Sequence, residues 1–262
     1  MKEAKRFHLI FLSCFFSLVA QGQQKKFTSS NAHAHNDYVH AVPFYTAFNA
    51  GFGSIEADIF PVNGILFVAH SKLEIQSQQT LKTLYLDRLL KELKANKSRR
   101  VKLLVDIKED YQLSLQLLQK EIEPLLQYLS TPQENKQLTV LINGKKPVPA
   151  EYEKYPPYIF FDDDLKLNHN AAEWERVGQV SLSFTKYSTW NGQDTNEPSE
   201  DEKARIKEVV DSVHLSGKTI RFWAAPDNEA SWIFQMKLGV DLVGTDKINE
   251  FATFLRSRTK NN

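Results

Sequence analysis

The chain has 262 residues, with 33 Lys and Arg against 32 Asp and Glu, and one cysteine. Its hydrophobic (42%) and charged (25%) fractions are ordinary globular values and exclude a largely disordered chain. A net charge of +1 excludes binding to nucleic acid through a basic excess.

In chain order, residues 1–22 read as a secretory signal peptide: Lys2, Lys5 and Arg6, an apolar run from Phe7 to Ala20, then small residues up to Gly22. The run is short for a membrane span, and it continues past Cys14, where a lipid-anchored cysteine should end it. Residues 23–262 then form the mature domain, with 30 basic residues, 31 acidic residues and no cysteine. The expectation is an exported monomer, periplasmic or secreted, that relies on its own core rather than on disulfides.

Apolar runs suited to buried strands follow near Ser30–His35, Ser54–Phe60, Val101–Ile107, Gln137–Ile142, Tyr158–Phe161, Gln179–Phe184, Thr219–Ala224 and Val240–Gly244. Between them lie helical stripes. Leu81, Tyr85, Leu89 and Leu93 recur every fourth residue, and Leu115, Leu118, Ile122, Leu125 and Leu129 alternate steps of three and four around a breaker, Pro124. Ile206–Val213 and Ile248–Leu255 carry two more stripes, with shorter helices expected at Pro43–Ala50 and Asn228–Leu238. Strands alternating with helices over this length fit a single-domain α/β (β/α)8 TIM barrel. The doubly wound rival lacks its glycine-rich phosphate turn.

A barrel places chemistry at the carboxyl ends of its strands. His35, Asp106, Asn143, Asp162 and Asp246 stand at or just after such ends, and Trp223 lies late in the seventh strand. In Ile55-Glu56-Ala57-Asp58-Ile59 the side chains alternate, so both carboxylates share one face. Two carboxylates at the inner mouth repel each other, and a divalent cation removes the conflict. A solvated acidic face on a surface strand is the other reading. Asp106, which would also serve as a helix cap, completes a three-carboxylate oxygen site suited to Mg²⁺ or Ca²⁺. Asn63-Gly64 predicts a type I′ hairpin that folds the chain back and returns His70 towards Asp58.

Asn31-Ala-His-Ala-His-Asn-Asp-Tyr, Gly53-Ser-Ile-Glu-Ala-Asp-Ile-Phe, Leu66-Phe-Val-Ala-His-Ser and Val105-Asp-Ile-Lys108 resemble, in that order, the motifs of the glycerophosphodiester phosphodiesterase superfamily. Phe222-Trp223 and Leu238-Gly-Val-Asp-Leu-Val-Gly-Thr-Asp246 resemble its last strands. Asn36 in place of Arg, Ser71 in place of Asp and Asp106 in place of Glu look more like the phosphatidylinositol phospholipase C-like and sphingomyelinase D-like branches. The resemblance implies Glu56, Asp58 and Asp106 as ligands of one divalent cation, Mg²⁺ or Ca²⁺. It implies His35 and His70 as the acid–base pair, or one of them as a nucleophile, and Asn36 and Lys108 as substrate contacts.

Trp223 matches a family tryptophan at the barrel mouth, where it would pack on a headgroup or a choline cation; core packing is its other reading. Arg221, on the same strand face, either meets phosphate or forms a structural ion pair. The expected activity is hydrolysis of a phosphodiester in a phospholipid or its deacylated headgroup, with passing contact to a membrane surface and no nucleic-acid partner. Two rivals remain. His33-Ala-His35 also spells the first-strand motif of amidohydrolase-type barrels, although the later histidines those need are missing from the strand ends; otherwise His33 supports the site or fills the core. A non-catalytic barrel binding lipid or polyol phosphate is the second.

Overall fold

The computed structural model describes residues 26–95, 99–193 and 197–260; the segment read as a signal peptide lies outside them, with Cys14. Nine strands form the sheet: β1 (Ala32–Ala34), β2 (Ser54–Val62), β3 (Ile65–Val68), β4 (Val101–Ile107), β5 (Leu138–Gly144), β6 (Ile159–Asp163), β7 (Val177–Ser183), β8 (Ile220–Trp223) and β9 (Leu242–Thr245). The order β1-β9-β8-β7-β6-β5-β4-β2 closes through a parallel β1–β2 pairing, while β3 pairs antiparallel with β2 outside the ring. The result is a closed eight-stranded parallel barrel, a TIM barrel in one domain. Every expected strand is present, with ends displaced by up to a few residues.

The helices are α1 (Tyr45–Ala50), α2 (Asp87–Ala95), α3 (Tyr111–Glu121), α4 (Ala171–Glu175), α5 (Glu200–Leu215), α6 (Glu229–Lys237) and α7 (Ile248–Lys260). Leu81, Tyr85, Leu89 and Leu93 are all essentially buried. A strict four-residue spacing overshoots the 3.6-residue turn, and the wider π-turn at Lys82–Leu86 ahead of α2 takes up the excess. Pro124 acts as the sequence predicts: α3 stops at Glu121, and a 3-10 segment, Glu123–Tyr128, carries Leu125 into the same core. Among the described residues no helix is long and apolar enough to cross a membrane.

Alternation divides the strands between two layers. Ile55, Ala57, Ile59, Leu103, Val105, Ile107, Val140 and Ile142 belong to the large core between barrel and helices. Glu56, Asp58 and Asp106 take the opposite face, towards the barrel axis. Inside the barrel the apolar filling is a small cluster, Leu104, Leu141 and Phe160. His33, Glu56, Asp162, Gln179, Ser181 and Arg221, all buried, supply most of the rest. A TIM-barrel interior is ordinarily filled by bulky branched side chains. Here buried polar side chains, several of them joined by hydrogen bonds, replace much of that filling.

Candidate active site

The local sequence of β2 builds the centre of the mouth. In the parallel register Asp58 stands opposite Asp106 on β4, and Glu56 opposite Leu104. Directly opposed side chains on neighbouring strands approach closely, and one carboxylate oxygen from each of Glu56, Asp58 and Asp106 lies within 4.8 Å of the others. Lys108 reaches back over the pair, with Nζ 2.8 Å from Asp58 Oδ2 and 3.1 Å from Asp106 Oδ2. Asp58 Oδ1 is buried without a hydrogen-bond partner among the described residues. Burial, together with the Glu56 charge, pushes Asp58 up to about 6 against the pull of Lys108. That is the behaviour of a site short of positive charge. An all-oxygen donor set with a buried oxygen to spare fits a hard divalent cation.

Glu56 sits deeper. Its Oε2 is 2.7 Å from His33 Nε2 and 3.3 Å from Arg221 Nη1, and Arg221 Nε lies 3.2 Å from Ser181 Oγ. Burial disfavours the Glu56 charge, but the His33 hydrogen bond and the Arg221 guanidinium overcome it and hold the carboxyl down at about 2. Burial and Arg221 lower His33 to about 4, so its ring is neutral at pH 7. His33 is fully buried between Ser54 and Glu56. It buttresses Glu56 and makes no ligand pair with His35; among the described residues the metal-type cluster is the three carboxylates. Arg221 forms the ion pair of the two readings.

His35, just past β1, is half exposed, with Nδ1 2.8 Å from Asp246 Oδ1. Burial works against its charge, but the Asp246 hydrogen bond and the nearby carboxylates outweigh it and raise its pKa. The Asn36 amide lies 3.0 Å from the same ring nitrogen and 3.4 Å from Asp246 Oδ1. At the turn after β2, Asn63 and Gly64 both have positive φ, 50° and 79°, as a type I′ turn demands. The hairpin returns His70 to Asp58: Ala69 N–H donates to the Asp58 carbonyl oxygen at 3.3 Å, and His70 Nδ1 is 3.8 Å from Asp58 Oδ2.

Tyr38 links the two histidines. Its hydroxyl is 2.8 Å from Asp58 Oδ2, 2.9 Å from Asn36 Oδ1 and 3.3 Å from His70 Nδ1. A phenol that donates to Asp58 accepts from His70 Nδ1–H, leaving His70 Nε2 free for proton transfer. Sequence reading missed Tyr38, although it closes the His-Asn-Asp-Tyr run. Asp37 in that run is buried, accepting from Phe44 N–H at 2.5 Å and Tyr85 O–H at 2.9 Å, and so anchors the loop.

Trp223 is 49% exposed. With His35, Glu56, Asp106 and Arg221 it lines a cleft of about 350 Å³. Asn143 and Gly144 continue the lining, whereas Asp162 lies buried within β6, where burial pushes it up to about 6. Gly144 went unnoticed in the sequence. Its φ is +70°, and a Cβ there would meet Asp106 Oδ1 at 2.0 Å and the Ile107 carbonyl oxygen at 2.5 Å. Gly144→Ala is therefore expected to displace Asp106 and weaken Mg²⁺ or Ca²⁺ binding about 10- to 100-fold, the range for disturbing a ligand's support. Calorimetric titration with either ion checks this; unchanged affinity would show that Asp106 needs no such clearance.

The comparisons with known proteins agree with this architecture. The chain is 25% identical over 256 residues to the altered inheritance of mitochondria protein 6 homolog of Arthroderma benhamiae, covering 83% of this chain and 81% of that protein. Its fold is similar to a calcium-dependent phosphoinositol-specific phospholipase C from Pseudomonas sp. (TM-score 0.58, 11% identity, 87% of this chain and 93% of that one). A glycerophosphodiester phosphodiesterase from Parabacteroides distasonis is also similar (TM-score 0.52, 14% identity, 83% and 89%). Residues 22–102, which hold β1, the β2–β3 hairpin and both candidate catalytic histidines, match the AIM6-like phosphodiesterase domain, and the fold of the chain is a TIM barrel similar to those two solved structures.

Proposed function

We propose that this chain is an exported, metal-dependent phosphoric diester hydrolase acting on a phospholipid or its deacylated headgroup. The observation that carries the reading is the convergence of Glu56, Asp58 and Asp106 to within 4.8 Å, beside His35 just past β1 and His70 just past the returning strand β3. Glu56, Asp58 and Asp106 would hold one Mg²⁺ or Ca²⁺, which, when bound, offsets charge on the diester oxygens.

The chain's own groups supply the proton transfers. His35, kept protonated to higher pH by Asp246, donates to the leaving oxygen. His70 Nε2 takes the proton of the attacking hydroxyl, whether from water or from the substrate. Lys108 and Asn36 contact the anionic diester, and Tyr38 holds Asp58 and the His70 ring in place. Lipid access is supported by large apolar side chains exposed at the same end of the barrel: Val39, Leu73, Leu165 and Leu167 on the segments after the strands, and Trp223 at the end of β8. The export reading rests on residues 1–22 of the sequence.

The test is turnover of bis-p-nitrophenyl phosphate and a phospholipid panel with Mg²⁺, with Ca²⁺ and with EDTA. Activity is expected to fall at least about a hundredfold on chelation and to return with one of the ions. Turnover indifferent to chelation would defeat the reading, and failure to cleave any diester would favour the binding-barrel alternative.

A further inference from the structure

His35 and Asp246 meet at the rim of the barrel with both side chains about half exposed, 42% and 52%. Asp246 stands in the two-residue turn between β9 and α7. A solvated carboxylate in such a turn has several rotamers open to it, and only some of them reach the His35 ring. The group that holds Asp246 in place belongs to the neighbouring turn, between β8 and α6.

Asp227, partly buried in that turn, accepts at both carboxylate oxygens. Its Oδ2 takes the Asp246 backbone N–H at 2.9 Å, and its Oδ1 takes the Trp232 indole N–H at 2.9 Å. Its carbonyl oxygen takes the ammonium of Lys247, the other residue of the Asp246 turn, at 2.8 Å. Local sequence explains the placement. Asn228 caps α6 by accepting the Ser231 N–H at 3.0 Å, so Asp227 precedes the cap and Trp232 is the fourth helical residue. A hydrophobic staple joins those two positions in other helices; here a hydrogen bond joins them. Trp232 is buried against Phe251 and Phe254 of α7, with ring centroids 4.6 and 5.5 Å away. Asp227 thus ties the turn that carries Asp246 to the core.

We infer that Asp227 is a positioning residue of the active site, which acts through the Asp246 backbone to aim the Asp246 carboxylate at His35. This rests on His35 as a proton-transfer group, as the proposed function has it. A carboxylate suits the place because it offers an acceptor to each N–H, and its charge strengthens both bonds. Asparagine has one acceptor oxygen and would turn its NH₂ on the other N–H. With the hold lost, Asp246 gains rotamers turned to solvent, and His35 loses part of the hydrogen bond that keeps it protonated. The other charged or titratable groups that act on His35 are Glu56 on β2, Arg221 on β8 and His33 on β1. Among the described residues no hydrogen bond joins Asp227 to any of them, so its path to His35 is Asp246.

A double-mutant cycle on the full chain tests the path. Asp227→Ala is measured in the parent and in the Asp246→Asn background. The first readout is the NMR titration of the His35 ring, identified by the resonance that His35→Ala removes. The second is turnover of bis-p-nitrophenyl phosphate against pH. In the parent, Asp227→Ala is expected to lower the His35 pKa and to reduce turnover by up to about tenfold, in kcat rather than KM. In the Asp246→Asn background it is expected to leave the His35 titration in place and to change turnover by less than about twofold, because the carboxylate it aims is already gone. Asp227→Asn keeps the shape and gives up one acceptor; a smaller shift in the same direction is expected, and this variant carries the test if the alanine variant melts below the assay temperature. A His35 titration that ignores Asp227 overturns the inference. So does a shift of equal size in both backgrounds, which would assign the effect to the charge of Asp227 or to the fold at large. A His35 shift that depends on Asp246, in a protein that cleaves no diester, keeps the inference and sinks the hydrolase reading. Diester cleavage with an unmoved His35 does the reverse.

Discussion

Glu56→Gln is expected to lower phosphodiester turnover at least about a thousandfold and to destabilise the barrel by about 3–5 kcal/mol. The two effects have separate causes. Turnover falls because one of the three proposed cation ligands loses its charge, and several kcal/mol of transition-state stabilisation would go with it. Stability falls because Arg221 Nη1, 3.3 Å from Glu56 Oε2, is left charged and buried with its carboxylate partner gone. Denaturant titration of both proteins at pH 7 measures the second effect directly. A stability within about 1 kcal/mol of the parent would mean that Arg221 finds another partner.

The same network sets the acid limit of the fold. His33 is lowered from 6.5 to about 4, so its contribution is complete above 6.5 and is lost as pH falls through about 4. Glu56, held at about 2 against an ordinary 4.5, contributes fully above 4.5 and loses that contribution as pH falls through about 2. Acid unfolding is therefore expected to begin with protonation of His33.

Asp246→Asn is expected to lower turnover about tenfold or more and to move the alkaline limb of the pH–rate profile to lower pH. The direction follows from the forces on His35. Burial lowers its pKa, whereas the hydrogen bond from Nδ1 to Asp246 Oδ1 at 2.8 Å and the adjacent carboxylates raise it further than burial lowers it. Removing the Asp246 charge leaves burial less opposed, so His35 loses its proton at lower pH and the general acid is depleted sooner. In stability the parent pair acts most fully below the unfolded value near 6.5 and weakens as pH rises through the raised value of His35. A profile of kcat against pH checks the prediction. An alkaline limb that stays in place would assign the acid to another group, and His35→Ala, expected to cost about 10²- to 10⁴-fold, would then have little effect.

Much of this site is legible in short stretches of chain. Glu56 and Asp58 stand two residues apart between apolar neighbours, and a period of two can only place them on one face of a strand. Asn63-Gly64 encodes the turn that brings His70 back, because few other residue pairs accept positive φ twice in succession. Asp106 follows the apolar run Leu103-Leu-Val105, as expected where a buried strand emerges at the mouth. The contacts that tune these groups are of another kind. Arg221 meets Glu56 across 165 positions of sequence, and His35 meets Asp246 across 211. Nothing near Arg221 in the chain chooses between phosphate and carboxylate as its partner.

The sequence by itself determined the alternation of strands and helices, the hairpin, and the chemical types at the strand ends, because each depends on backbone preferences and side-chain periodicity within about ten residues. Only the tertiary structure decided which ends face one another. Closure between β1 and β2, and between β1 and β9, puts His33 against Glu56 and His35 against Asp246, and the parallel register aligns Asp58 with Asp106. These meetings are properties of the ring, since electrostatic interactions sum over groups brought close in space, wherever they lie along the chain.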